Sequence, residues 1–199
     1  MKIVVATKNA HKVKELSEML SIDGIELVTL SDMGFTGEIE ENGSSFAENA
    51  LIKARAARDL YHLPALADDS GLCVDALNGE PGIYSARYAS EDGENASDKA
   101  NVEKLLDKLK GIPSGERTAR FLCAIALVLP DGTEKTVTGA CEGVITSEVR
   151  GNGGFGYDPV FYYVPYCKTF GEAAEEEKNA VSHRANAVRL IKKELLQLL

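Results

Sequence analysis

Apolar residues recur along the chain with periods of about two and about three and a half, and the switches between those periods mark its elements. Lys2 to Thr7 is almost wholly apolar and predicts a buried strand; Val13, Leu16, Met19 and Leu20 then fall on one face of a helix from Asn9 to Leu20. Glu26 to Leu30 predicts a second strand. Ser45-Phe46-Ala47-Glu48 has capping-box spacing and opens a helix to about Tyr61 that turns Phe46, Ala50, Leu51, Ala54, Ala57 and Tyr61 inward. The apolar segment His62 to Ala67 predicts a strand that ends at Asp68-Asp69, because Ser70-Gly71 is turn chemistry, and Leu72 to Val74 resumes it. Ser97 caps a helix through Leu109 with Val102, Leu105, Leu106 and Leu109 on its buried side. Arg117 to Leu129 and a run through about Val149 flank Pro130-Asp131-Gly132-Thr133, a hairpin signal between two long strands. Ser182 caps a last helix whose Val188, Ile191, Leu195 and Leu198 pack inward. Helices alternating with strands predict an α/β fold, and strands this long predict an elongated, twisted sheet able to join two lobes.

Composition narrows the class. The chain has 199 residues, is 44% hydrophobic and 27% charged, and reads as one soluble domain. A net charge of -9 argues against a nucleic-acid polymer as partner, since phosphate-backbone binding needs a broad basic face, but leaves room for a small anion in a local basic pocket. The apolar run after Met1-Lys2 is short for a signal peptide, and no stretch approaches the ~20 apolar residues of a membrane span, so a cytoplasmic location is expected. Cys73, Cys123, Cys141 and Cys167 lack Cys-x-x-Cys spacing and are expected as free thiols, mostly buried.

Candidate chemistry sits at the element boundaries. Asp68 and Asp69 are adjacent carboxylates at an expected strand rim, where α/β sheets bind ligands, and an oxygen-only donor set favours magnesium or calcium. The acidic loop Gly37 to Gly43 supplies Glu40 and Glu41 as a further carboxylate from another element. Thr7-Lys8-Asn9-Ala10-His11-Lys12 gathers donors at a helix N-terminus, a phosphate cradle without glycine, although Asn9 as a plain helix cap explains the same residues. Arg87 fits a phosphate contact or a surface charge. Arg150-Gly151-Asn152-Gly153-Gly154-Phe155-Gly156-Tyr157-Asp158-Pro159 is a flexible loop that delivers an aromatic face for a base and a carboxylate close together, although a plain loop with a packed Phe explains the same residues. His183 and Arg184 lie in the first turn of the last helix, where the dipole disfavours cations, so they want a compensating anion or acceptor.

The ordered combination of Thr7 to Lys12, Ala67-Asp68-Asp69-Ser70-Gly71-Leu72, Gly82 to Tyr88, Phe155-Gly156-Tyr157-Asp158-Pro159, and Lys178-Asn179 with Ser182-His183-Arg184 resembles the inosine triphosphate pyrophosphatase family, also called XTP/dITP diphosphatases. The resemblance spans nearly the whole chain. It implies two lobes around a cleft in a long mixed sheet, a homodimer, a magnesium requirement, and hydrolysis of ITP, dITP and XTP to the monophosphate and pyrophosphate, which removes them from the nucleotide pool. It also implies the site. Residues of the Thr7-Lys8-Asn9-Ala10-His11-Lys12 turn bind substrate, with Thr7, Asn9 and Lys12 on phosphates; Ser70 and Lys178 contact the nucleotide. Glu40 and Asp69 hold magnesium, with Glu41 the alternative to Glu40, and Asp69 is the proton acceptor. Phe155, Gly156, Tyr157 and Asp158, with His183 and Arg184, form the base pocket.

The chemistry agrees with that implication. Magnesium on phosphate oxygens neutralises charge and activates water, Asp69 takes the proton, and no nucleophilic side chain is needed. Asp158 accepting from N1-H of the base while His183 or Arg184 donates to its 6-keto oxygen rejects adenine, whose edge is reversed. A nucleotide-binding regulator without turnover and a magnesium phosphohydrolase for another nucleotide are the competing classes.

Overall fold

The structure, a computed structural model, describes residues 1–198. The elements are β1 (Lys2–Val5), α1 (Ala10–Met19), β2 (Glu26–Thr29), α2 (Phe46–Tyr61), β3 (Ala65–Val74), α3 (Asp98–Lys108), β4 (Thr118–Val128), β5 (Glu134–Ile145), β6 (Phe161–Tyr163), β7 (Lys168–Thr169), α4 (Glu175–Val181) and α5 (His183–Leu196). Among the described residues the strands form one mixed sheet in the order β2-β1-β3-β4-β5-β6-β7, and the fold class is α/β as expected. β1 runs parallel to both β2 and β3, whereas β6 is antiparallel to β5 and β7. The chain divides into two compact units, Met1–Asp69 with Cys123–Gly139 and His183–Leu199, and Ser70–Leu122 with Ala140–Ser182.

In the first unit β1 lies between two strands, so both of its faces need covering, which is why Ile3, Val4, Val5 and Ala6 are all apolar and all buried. Ile3, Val5, Leu66, Ile125 and Leu127 face Leu16 and Leu20 of α1 and Val188, Ile191 and Leu195 of α5. Val4, Ala65, Ala67, Ala124 and Ala126 face Ala50, Ala54 and Ala57 of α2, and alanine on both sides lets this helix approach the sheet closely. His62, in the left-handed conformation, ends α2 and donates its N–H to Arg58 O. The Asp-Gly hairpin forms as the pattern required: Gly132 adopts φ +90 and Leu129 N–H bonds Thr133 O at 2.9 Å.

In the second unit Leu72, Val74, Leu105, Leu109, Phe121, Phe161 and Phe170 form the core. Arg117, largely buried, donates to Leu109 O at the end of α3, to Ile112 O just beyond it, and to Thr146 O after β5, so its guanidinium satisfies three backbone carbonyls.

Three expectations change. β3 does not stop at Asp68-Asp69: it is one ten-residue strand through Ser70-Gly71, and what ends is the pairing of β1, at Val5 opposite Leu66. The two aspartates therefore lie beyond the end of β1 but inside β3. The capping box at α2 is displaced by one residue, since Ser45 Oγ accepts from Glu48 N–H while the Glu48 carboxylate accepts from Ser44 N–H and Oγ–H. Leu198 lies past the end of α5 and is 41% exposed rather than packed inward. The acidic run at Glu175 is helix α4, where three glutamates in the first turn suit the helix dipole.

Candidate active site

Successive side chains of a strand point to opposite faces, so Asp68 and Asp69 do not share a site. Each has its own cations. Asp68, on the face covered by α1 and α5, is fully buried with Lys12 Nζ at 3.3 Å and the Arg184 guanidinium at 3.1 Å. Arg184 also forms a short ion pair with Glu15, itself buried on α1. Burial opposes ionisation of Asp68, but Lys12, then Arg184 and Lys53, outweigh it and hold the carboxyl well below its usual range. The compensating anion that the sequence demanded for Arg184 is thus supplied twice, by Asp68 and Glu15. Cys123 lies on the same face, 3.9 Å from Asp68 Oδ2, and burial beside that charge pushes its thiol up to about 12, so it stays protonated.

Asp69 points to the α2 face, where Asn49 Nδ2 donates to Oδ2 at 3.2 Å and Lys53 Nζ to Oδ1 at 3.4 Å. Lys53 also pairs with Glu41 at 2.9 Å. Burial raises the Asp69 pKa above 3.8; Lys53 and Lys12 oppose this, and Glu41 adds to it. Lys53 stays charged: its burial works against the cation, but Asp69, Glu41 and Asp68 raise its pKa. Asn49 and Lys53 were missed from sequence. Their signal was a polar pair at i, i+4 on the face of α2 that otherwise carries Ala50, Ala54 and Ala57.

The acidic loop divides its glutamates. Glu41 stands on Lys53, whereas Glu40 is exposed and makes no ion pair with the described residues. In the turn between β1 and α1, Asn9 Oδ1 accepts from His11 N–H at 3.0 Å and Lys12 N–H at 3.2 Å, and Thr7 Oγ1 accepts from Asn9 N–H. The cap reading therefore holds for Asn9, while Lys12 leads to Asp68, and Ala10 and His11 are exposed. Lys8 Nζ lies 5.6 Å from the Phe35 ring centre. Ser70, next in β3, is half-buried, and His183 is buried at the start of α5.

The second unit carries the aromatic loop. Asp158 is buried and its Oδ2 accepts from Lys178 Nζ at 2.7 Å and from Phe155 N–H at 2.9 Å, tying the loop into a closed turn. Lys178 Nζ lies 4.6 Å from the centre of the Phe155 ring, a cation–π contact on a half-buried ring. Gly154 is required twice over, by φ +70 and because a Cβ would lie 2.1 Å from Asp158 Oδ2. Tyr157 is buried and donates its hydroxyl proton to Ser85 O. Arg87 stacks on Tyr84, its guanidinium carbon 5.4 Å from the ring centre, and makes no ion pair among the described residues.

The α/β sheet carries carboxylates and lysines past the end of β1, and a separate glycine loop is tied by an Asp–Lys pair. The Ham1 family model matches residues 3–194, and the chain belongs to the Ham1 family. It is 53% identical over 190 residues to the dITP/XTP pyrophosphatase of Desulforamulus reducens, covering 95% of this chain and 92% of that protein. It is 49% identical to the dITP/XTP pyrophosphatase of Bacillus subtilis, covering 96% and 94%. Among solved structures, the Staphylococcus aureus Ham1 protein superposes with a TM-score of 0.89 at 40% identity over 100% of both chains. The Coxiella burnetii HAM1 protein gives 0.90 at 41% identity over 99% of both.

Proposed function

We propose that this protein hydrolyses non-canonical purine nucleoside triphosphates (dITP, XTP and ITP) to the monophosphate and pyrophosphate, and so clears them from the pool available to nucleic-acid synthesis. The full-length likeness to dITP/XTP pyrophosphatases supports the reaction. The observation that carries the catalytic assignment is Asp69, a largely buried carboxylate with a raised pKa, oriented by Asn49 and Lys53.

The donor chemistry suits magnesium. Among the described residues no group of three or more His, Cys, Asp or Glu side chains could hold a metal. Two carboxylates are instead the complement that this ion takes when water and substrate phosphates fill the rest of its shell. Glu41 already neutralises Lys53, so the exposed Glu40 is the glutamate of that loop assigned with Asp69 as ligand. Magnesium, when bound, supplies charge neutralisation on phosphate oxygens and acidifies water. Asp69 takes the proton of the attacking water on its carboxylate. Lys53 keeps that carboxylate anionic, and Asn49 fixes its plane. Lys12, with Thr7 and Asn9, binds phosphate oxygens, with Lys8, Ala10 and His11 lining the same turn and Ser70 contacting the nucleotide.

The second unit's loop is assigned to the base. Phe155 stacks, Gly156 and Tyr157 shape the backbone, Asp158 accepts from N1-H, and Lys178 holds Asp158 and the ring. The donor to the 6-keto oxygen is assigned to His183 or Arg184, and Arg184 also pairs with Asp68 and Glu15. Adenine presents the opposite edge and leaves these groups unmatched, a rejection of ~10⁴-fold. Asp158→Asn is expected to narrow the preference for ITP over ATP; an unchanged ratio would refute this pairing. A homodimer and a cytoplasmic location complete the proposal; no described helix is long and apolar enough to cross a membrane.

The test is Asp69→Asn. Turnover of ITP should fall by about 10²–10⁴-fold while nucleotide binding persists, the loss expected on removing a positioned base. Retained turnover would remove Asp69 from the reaction.

A further inference from the structure

Two of the three residues in the Phe155–Tyr157 loop are held by groups already described: Phe155 through its N–H to Asp158, and Tyr157 through its hydroxyl to Ser85 O. Gly156, between them, is held differently. Its φ is +60 and an added Cβ would meet nothing within 4 Å, so side-chain packing does not fix its backbone. Its N–H instead donates to Asp98 Oδ2 at 2.6 Å, a contact across 58 positions of sequence. A charge-assisted bond of that length is among the stronger kinds available to a backbone amide.

Asp98 is well placed for the task. It opens α3, where the helix dipole favours a carboxylate, and the Ser97 hydroxyl takes over the capping by accepting from Ala100 N–H. The start of α3 is rigidly joined to the segment that anchors Tyr157. Asn101 accepts from Ala89 N–H at 2.8 Å and donates to Ala86 O at 3.1 Å, and Ala96 N–H bonds Ala86 O. Ser85, whose carbonyl receives the Tyr157 hydroxyl, is itself fixed by Leu72 N–H and Gly82 O. One frame therefore grips the loop at two consecutive residues.

We propose that Asp98 is a positioning residue for base binding, holding the Gly156 N–H so that the Phe155 ring is presented in a fixed orientation. The inference rests on the reading of Phe155–Asp158 as the base loop. Asp98 touches no reacting atom, so its loss weakens binding of the base without slowing the chemical step to the same degree. Asparagine keeps an acceptor oxygen at the same reach and is the conservative variant.

The experiment compares wild type, Asp98→Ala, Asp98→Asn and Phe155→Ala in steady-state hydrolysis of ITP, with inhibition by inorganic pyrophosphate, which has no base, measured beside it. Asp98→Ala should raise KM for ITP by about three- to tenfold with a smaller change in kcat, as loss of an orienting hydrogen bond predicts, and Asp98→Asn should return KM to within about twofold of wild type. The pyrophosphate inhibition constant should not move in either variant. If Phe155→Ala raises KM and Asp98→Ala does not, the role of Asp98 is refuted and the base loop stands. If Asp98→Ala weakens pyrophosphate inhibition as much as ITP, or asparagine gives no recovery, Asp98 is merely structural. If Phe155→Ala leaves KM unchanged, the base-loop reading itself fails, and Asp98's part in base binding falls with it.

Discussion

A single strand residue decides how the two aspartates divide their work. Because side chains alternate across β3, Asp68 meets Lys12 and Arg184 while Asp69 meets Asn49 and Lys53, and adjacent carboxylates acquire opposite pKa shifts. Asp68 is a fixed anion that organises cations; Asp69 is a carboxylate whose proton affinity is raised towards that of a base. Replacing Asp68 by Asn removes the buried carboxylate that pairs with both Lys12 and Arg184, and should destabilise the fold by about 3–5 kcal/mol, the range for breaking a buried pair from one side. Chemical denaturation of Asp68→Asn at neutral pH checks this, and a loss under 1 kcal/mol would contradict it. The depressed pKa of Asp68 has a second consequence. Its contribution to stability is complete above the unfolded value of 3.8 and is lost as pH falls below that, because the unfolded chain binds the proton first. Acid unfolding should therefore be less steep below pH 3.8 in Asp68→Asn than in wild type.

At the scale of elements, one close approach sets the position of α5 in its unit. Gly139, midway along β5, faces α5, where a Cβ would lie 2.3 Å from both Ala187 N and His183 O. Both are backbone atoms and neither can step aside. Gly139→Ala should push back the helix that carries His183 and Arg184, costing about 1–3 kcal/mol by overpacking, and thermal melting together with ITP turnover would show both effects. A variant with wild-type melting and turnover would show that α5 is not held there. The elements themselves were legible in sequence. Ser45, Ser97 and the Asp131-Gly132 turn announced their helices and hairpin through local chemistry, and those ends fall within a residue or two of the expectation. The continuity of β3 through Ser70-Gly71 was not legible, because turn residues in a strand are overridden by pairing that local sequence does not record. Glu15 and Lys53 were illegible for a related reason. A charged residue on a helix reads as solvated until its partner is known, and those partners, Arg184 and Asp69, lie 169 and 16 positions away. By contrast the His183-Arg184 pair was legible as needing an anion, since a cation at a helix start is unfavourable wherever the helix packs.

For the whole molecule, the net charge is -9, and the buried cations Lys53, Lys178 and Arg184 each pair with a carboxylate. Such a protein attracts a small polyanion only through local sites, and a divalent metal offsets the general repulsion. The chain belongs to the Ham1 family and is similar over nearly its full length to dITP/XTP pyrophosphatases. The central claim is base-selective release of pyrophosphate. The most direct measurement is pyrophosphate formed from dITP, XTP, ITP, GTP, ATP and CTP, with magnesium and again with the metal chelated. Release confined to dITP, XTP and ITP and abolished by chelation is the predicted result; equal release from ATP or CTP, orthophosphate in place of pyrophosphate, or ITP bound tightly without turnover would contradict the account.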